Sequence, residues 1–301
     1  MQSAPKTKLV IIVGTTASGK SSLAVALAHA FNGEIISADS RQVYRKLDIG
    51  TAKLTKDEMQ GIPHHLIDVA DLSSTYTAVD FKNQAHEAIK QIAGRGNLPI
   101  ITGGTFFYID ALLERSSLPE VPPNSALRTE LEALTNTELL KRLQKLDQRR
   151  ANTIDPQNKR RLVRALEIAH ALGSVPEVAP KEPPYEVLML GLVAQKEELR
   201  KRFESRARTW LQNGFTNEVR ALLDSGIERE RLHEMGFEYQ LGLELQDGTL
   251  TEEAFVQKFI EKNWQYAKRQ LTWLKRDGSV VWVYPEEGSE IKLLIENFLR
   301  N

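Results

Sequence analysis

The stretch Gly14-Thr-Thr-Ala-Ser-Gly19-Lys20-Ser21 leaves this chain few folds to choose from. It fits G-x-x-x-x-G-K-[ST] at every defined position. It also lies between a short β-rich apolar run, Leu9–Val13, and a helical stripe over Ser21–Phe31 with Leu23, Ala24, Leu27 and Ala28 on one face. Glycines let backbone N–H groups turn inward around a phosphate, and the helix beginning near Lys20 adds the positive end of its dipole. Gly14, Thr15, Thr16, Ala17, Ser18, Gly19, Lys20 and Ser21 are therefore expected to hold a di- or triphosphate. Lys20 supplies a point charge to the terminal oxygens, and the Ser21 hydroxyl is placed to hold Mg²⁺.

Further strands are expected at Glu34–Ala38, His65–Asp68 and Leu98–Thr102, with a helix over Phe81–Ile92. Strands alternating with helices make βαβ units, and so a parallel sheet with helices on its faces. After Leu118 the texture changes. Pro119, Pro122 and Pro123 form a stiff exit, sixty residues of helical periodicity follow, and Val175–Pro184 is a second proline-rich stretch. Tyr185–Val193 then returns as a strand, and helices are expected over Glu197–Leu223 and Thr251–Lys275. The reading is an α/β, P-loop NTPase-like core with a parallel sheet, contributed by 1–117 and 186–301, and a helical insertion domain at 118–185.

Cysteine is absent, which excludes disulfides, thiolate metal sites and a cysteine nucleophile. No apolar run approaches the roughly 20 residues of a membrane span, and none follows the first residues as a signal peptide requires. A cytoplasmic location is the expectation, and nothing in the sequence demands more than a monomer. The 40 Lys/Arg balance 40 Asp/Glu, yet the charge is unevenly spread. Lys141–Arg164 carries nine basic residues against Asp147 and Asp155, and Lys258–Arg276 carries six against Glu261. Two such segments can offer phosphates a basic face, or can simply be solvated helix surfaces.

The phosphate loop leaves the reaction open. A kinase places an acid near Mg²⁺, and Asp68 is available for that. Asp39 ends the second strand, on the sheet edge where open α/β folds bind ligands, and a carboxylate there can serve as a general base. It can equally cap a turn formed with Ser40.

Seven stretches occurring in order narrow the choice: the phosphate loop, Ser37-Ala-Asp-Ser-Arg-Gln-Val-Tyr44, Asp48-Ile-Gly-Thr-Ala-Lys53, Pro63-His-His-Leu-Ile-Asp68, Thr102-Gly-Gly-Thr105, Arg161-Leu-Val-Arg-Ala-Leu-Glu167 and Tyr266-Ala-Lys-Arg-Gln-Leu-Thr-Trp273. Together they resemble the tRNA dimethylallyltransferase (tRNA isopentenyltransferase) family, bacterial in type. The resemblance implies transfer of a dimethylallyl group from dimethylallyl diphosphate to N6 of the adenine at tRNA position 37, beside the anticodon. It makes Asp39 the base and Thr105 its catalytic companion facing the tRNA side. Arg202 and Arg206 match family arginines near the diphosphate. Asp39, Ser40, Arg41 and Gln42, with Thr105, match the stretch that receives the extruded base, and the Gln42 amide can offer an adenine both donor and acceptor. Arg128 and the run Arg160, Arg161, Leu162, Val163 and Arg164 match contacts to the anticodon stem-loop.

Six residues at four sites depart from the family pattern. Arg41 replaces a usual Met, Phe106-Phe107 replaces Gly-Leu, Gln157-Asn158 replaces Asn-Asp, and Glu238 stands where a basic residue is common. His64-His65 point to opposite faces of a strand and so do not share a metal. Trp264, Tyr266 and Trp273 are expected in the core rather than against RNA bases. The rival readings are an adenylate isopentenyltransferase, for which the basic insertion has no use, a P-loop kinase of a small metabolite using Asp68, and a catalytically idle RNA-binding module.

Overall fold

A computed structural model describes residues 6–116, 118, 119, 121–177 and 182–301. Of the proline-rich stretch 175–184, residues 178–181 lie outside the described residues, as do the first five residues read for a signal peptide. The chain divides into two units: Met1–Leu113 with Pro183–Asn301, and Glu114–Glu182.

The larger unit is built on a six-stranded sheet in the order β3-β2-β4-β1-β5-β6, with every pair parallel. The strands are β1 (Lys8–Gly14), β2 (Gly33–Ser37), β3 (His64–His65), β4 (Leu98–Thr102), β5 (Glu186–Leu192) and β6 (Val280–Val283). β1 is central, with Val10 opposite Ile100 on one side and Leu188 on the other. Its unbroken apolar run follows from burial on both faces. Leu9, Ile11 and Val13 point one way, into a layer containing Phe81, Ala85, Ile89, Ile109 and Leu112. Val10 and Ile12 point the other way, against Ala24, Leu27, Ile291 and Ile295.

The first of these layers comes from α3 (Ala78–Gly94) and α4 (Phe106–Leu112), and the second from α1 (Lys20–Ala30) and the final helix, Gly288–Arg300; a short α2 (Lys56–Met59) precedes β3. α3 starts on a capping box in which the Thr77 hydroxyl accepts from the Asp80 N–H and the Asp80 carboxylate accepts from the Thr77 N–H.

Glu34 on β2 is buried in the sheet and accepts hydrogen bonds from Arg95, His65 and Asn97 at 2.7–3.0 Å. Burial alone would raise its pKa, but the hydrogen bonds from Arg95, His65 and Asn97 outweigh it and bring it down to about 2. His64 bonds the Ile62 carbonyl instead, so the two histidines go separate ways.

The smaller unit is helical: α5 (Ser125–Glu132), α6 (Asn136–Leu146), α7 (Gln148–Thr153) and α8 (Lys159–Leu172). Leu131, Leu139, Leu143, Leu162, Val163 and Leu166 form its own core. Leu162 and Val163, expected among RNA contacts, thus put their side chains inside, because on α8 they share the apolar face with Leu166 and Ala169.

Beyond β5 the larger unit continues as α9 (Lys196–Gln212), α10 (Phe215–Asp224), α11 (Arg229–Glu234), α12 (Phe237–Gln246) and α13 (Glu252–Leu274). A single helix over Glu197–Leu223 is not what forms. Gly214 takes a left-handed conformation (φ 88°) between Asn213 and Phe215, which ends one helix and starts the next. Phe203, Trp210, Phe215, Tyr239, Phe255 and Phe259 pack where these helices meet. The strand β6 and the final helix, α14, lie beyond the last helix expected from the sequence. Four residues at a sheet edge, with Val281 and Trp282 exposed, carry too little periodicity to be read alone. Among the described residues no helix is long and apolar enough to cross a membrane.

Candidate active site

The phosphate loop leaves the C-terminal end of β1 and turns back into α1. Gly19 is left-handed (φ 95°) at the helix N-cap, with no side-chain cap and no acid in the first turn. The first N–H groups of α1 are therefore left without the partners that helices usually recruit, which is the arrangement that accepts an anion. Gly14 is required by space: a Cβ there would lie 2.8 Å from Ser18 Oγ and 3.1 Å from the Leu192 carbonyl.

Other elements buttress the loop. Arg202 on α9 donates from Nη1 to the Ala17 carbonyl (3.0 Å), and Arg206, one turn on, donates to the Thr16 hydroxyl (3.2 Å). Gln270 on α13 accepts from the Thr16 N–H (2.8 Å). Lys20 Nζ donates to the Thr15 carbonyl at 2.6 Å. A cleft of about 710 Å³ opens beside the loop, lined by Ser18, Gly19, Ser22, Arg202, Arg206 and Trp210 among others. Asp39 and Thr105 do not line it.

Asp39 stands just beyond β2, and the Ala38 N–H still pairs with the Thr102 carbonyl of β4 (2.8 Å). Asp39 Oδ1 accepts from the backbone N–H groups of Arg41 (2.8 Å) and Gln42 (3.3 Å), so a turn fixes one oxygen while Oδ2 carries no hydrogen bond among the described residues. Thr105 closes this turn from β4. Its N–H donates to the Ala38 carbonyl (3.1 Å), and its hydroxyl accepts from the Ser40 N–H (3.0 Å) and donates to Ser40 Oγ (3.2 Å). The preceding Gly103 lies so close to Ala38 that any Cβ would strike its backbone.

Gln42 does not have the free amide that base recognition would use. Its Nε2 donates to the carbonyls of Thr51 (3.2 Å) and Ala52 (3.3 Å), and its Oε1 accepts from Ser37 (3.1 Å). Both ends of the amide are spent on holding the 48–53 turn to β2. That turn is secured again by Glu218, whose carboxylate accepts from the N–H groups of Asp48, Ile49 and Gly50 at 2.6–3.0 Å and from the Tyr239 hydroxyl at 2.8 Å. Glu218 escaped the sequence reading, since one acid on an amphipathic helix carries no distinguishing signal. Asp68, the acid of the kinase reading, is bound by the buried Lys53 ammonium at 2.7 Å, which also pairs with Asp48 at 2.6 Å.

The charges of the two strand ends act on one another. Burial, reinforced by Arg206 and opposed by Asp39, lowers the Lys20 pKa to about 8. Burial raises Glu238 to about 7, with Arg41 and Arg206 opposing and Asp39 assisting. Arg41 and Glu238, two separate departures in the sequence, come together at the start of α12. A Cβ on Gly236 would lie 2.7 Å from Glu238 Oε2 and 3.9 Å from Arg41 Nε. A cation in place of an apolar residue and an anion in place of a cation thus lie beside the same glycine.

Trp264, Tyr266 and Trp273 on α13 are half-buried, with Trp264 and Trp273 packed against the edges of core clusters. Trp273 stacks on Phe106 (centroids 4.5 Å apart), which gives the departure at 106 a packing role. Trp264 lies under the ammonium groups of Lys196 and Lys268. Burial, with Asp39 next, holds the Tyr266 phenol well above its usual range.

Within the smaller unit, Arg128 makes a two-pronged bond to the buried Glu167 (2.8 and 2.9 Å). Arg164 reaches Glu167 (3.3 Å) and the Val121 carbonyl (2.9 Å), while Arg160 and Arg161 project into solvent.

The family model described as IPP transferase matches residues 42–277. A tRNA dimethylallyltransferase of Halalkalibacterium halodurans is 40% identical over 286 residues, covering 92% of this chain and 91% of its own length. One from Thermomicrobium roseum is 40% identical over 301 residues, covering 97% and 92%. Among solved structures, the full-length tRNA isopentenylpyrophosphate transferase of Bacillus halodurans superposes with a TM-score of 0.73 at 37% identity, covering 98% of this chain and 97% of that one. A eukaryotic dimethylallyltransferase acting on tRNA gives 0.78 at 29% identity, covering 92% and 74%.

Proposed function

The chain belongs to the IPP transferase family, and we propose that it transfers a dimethylallyl group from dimethylallyl diphosphate to N6 of the adenine beside the anticodon of tRNA. The observation that carries this reading is that the phosphate loop after β1 and Asp39 after β2 stand at the same end of one parallel sheet, a single strand (β4) apart, where the Asp39 charge acts on the Lys20 ammonium. A leaving-group site and a base within reach of each other's charge are what alkyl transfer from a diphosphate needs.

In the proposed step N6 attacks C1 of the dimethylallyl group, and the C1–O bond breaks with its electron pair leaving on the diphosphate. The N6 proton passes to Asp39 Oδ2, the oxygen that the turn leaves unbonded. The N–H groups at the start of α1 and the Lys20 ammonium take up the charge developing on the leaving oxygen. Arg202 and Arg206 hold the loop's Ala17 and Thr16 in shape. Thr105 acts through Ser40, fixing the turn on which Asp39 sits. The Gln42 amide, bonded to Thr51, Ala52 and Ser37, shapes the turn that receives the flipped adenine.

The donor set suits magnesium held largely by substrate. The Ser21 hydroxyl has no protein partner among the described residues, and no cluster of three or more His, Asp or Glu able to enclose a metal occurs among them. Ser21 would hold the ion together with diphosphate oxygens, and the ion would supply charge neutralisation at the leaving group.

Incubation with dimethylallyl diphosphate labelled in its alkyl group, separately with tRNA and with AMP, tests the proposal. Label on an adenine N6 of tRNA is expected; label on AMP alone, or none on either, would overturn it. We further assign the tRNA to Arg160 and Arg161, with Arg164 contributing less because Glu167 already holds it. Each phosphate contact contributes a log–log salt slope of about −0.7 to −0.9. Replacing all three arginines by alanine should flatten the salt dependence of tRNA binding by about two units. Turnover at saturating tRNA should change less, since the diphosphate loop belongs to the other unit. An unchanged slope would move RNA recognition elsewhere.

A further inference from the structure

Gln270 lies within the Tyr266–Trp273 stretch, and no step of the reaction above uses it. It is one of the few buried polar side chains of the chain, 4% exposed, and its amide spans two loops. Oε1 accepts from the Thr16 N–H of the phosphate loop (2.8 Å), and Nε2 donates to the Gly104 carbonyl (3.3 Å). Gly104 is shaped to receive it, since a Cβ there would lie 2.7 Å from Gln270 Nε2. From Gly104 the path continues through Thr105 to Ser40, the neighbour of Asp39. An amide is the side chain that can accept at one end and donate at the other without carrying charge beside a diphosphate.

We propose that Gln270 is a positioning residue that fixes the distance between the diphosphate loop and the Gly103–Thr105 turn, and through it the distance from leaving group to base. The proposal rests on the reading of the site given above. Its physical basis is that reactants must be held near attack geometry, and a displacement of about 1 Å can cost about 10²-fold in rate. The Thr16 N–H is thereby directed at Gln270, so the phosphate is left to the N–H groups that follow it in the loop.

The test compares three substitutions by steady-state kinetics, with thermal unfolding measured alongside. Gln270→Met keeps the length and removes both hydrogen bonds. It should lower kcat by about 10–100-fold and raise the KM for dimethylallyl diphosphate several-fold, with the Kd for tRNA within about twofold. Gln270→Glu keeps the acceptor for Thr16 but donates to Gly104 only when protonated. Its activity relative to the unsubstituted protein should therefore recover as pH is lowered, a response that a purely structural residue would not give. Gly104→Ala, which crowds the amide from the other side, should reproduce the kcat loss. Unchanged kcat and KM in Gln270→Met overturn the proposal, as does failure of both Gln270→Met and Gly104→Ala to fold, which would make Gln270 a stability residue. Absence of transfer to tRNA by the unsubstituted protein would instead count against the reaction assigned to the site.

Discussion

Asp39→Ala should lower turnover by about 10²–10⁴ while tRNA affinity stays within a few-fold, the signature of a lost general base. The carboxylate does two things that this substitution removes together. Oδ1 holds the turn through the Arg41 and Gln42 N–H groups, and Oδ2 is left to take the proton. Asp39→Asn separates them, because its amide oxygen still accepts from both N–H groups while its basicity is gone. The expected result is that Asn is as slow as Ala under single-turnover conditions with tRNA and dimethylallyl diphosphate saturating. Near-normal turnover in Asp39→Asn would show that the residue only shapes the loop and that the proton goes elsewhere. The same comparison bears on Thr105, which reaches the reaction through Ser40 and the turn. Removing its hydroxyl disturbs the position of a base that is still present, so its rate loss is expected to be smaller than that of Asp39.

What could be read ahead of the structure is what local pattern encodes. The phosphate loop announces itself because the chemistry of cradling a phosphate fixes residue types at consecutive positions, with a strand before and a helix after. β1, and the paired isoleucines of β2 and β4, were legible because strands buried on both faces carry short apolar runs. The place of Asp39 was legible because Glu34–Ala38 reads as a strand, and its end lies on the edge where open α/β sheets bind ligands. What local pattern does not encode is which partners a side chain finds once the chain has folded. Gln42 seemed free to read a base, yet Thr51, Ala52 and Ser37 consume its amide. Arg41 and Glu238 stood as unrelated departures until α12 brought them to the same glycine. Leu162 and Val163 were assigned with their basic neighbours in one run, although a helix sends adjacent residues to different faces. β6 and the break at Gly214 were lost for a related reason. A four-residue edge strand has little pattern of its own, and a single glycine within a continuous helical stripe does not by itself say that the chain turns.

Lys20→Ala should cost about 10²–10³ in kcat/KM for dimethylallyl diphosphate, since it removes a preorganised cation from the developing charge of the leaving group. The pH dependence follows from the environment of the ammonium. Burial, with Arg206 assisting and Asp39 opposing, brings its pKa from 10.5 down to about 8. Diphosphate binds best to the protonated form, so kcat/KM, which reports the free enzyme, should fall as pH rises above about 8. A bound diphosphate favours the ammonium, and kcat should stay level to higher pH. In Lys20→Ala the alkaline limb that belongs to this group should vanish from the kcat/KM profile. Linkage gives an independent sign. A lysine whose folded pKa lies below its unfolded value disfavours folding at neutral pH, and that cost is relieved as pH rises from about 8 towards 10.5. Removing it should therefore leave the ligand-free Tm at pH 7 unchanged or higher, even though activity collapses. A parallel fall in Tm and rate would mean that Lys20 serves the loop's structure through its bond to the Thr15 carbonyl. Loss of rate with preserved or increased Tm would mean that the loop holds a strained, desolvated charge whose proper partner is the diphosphate.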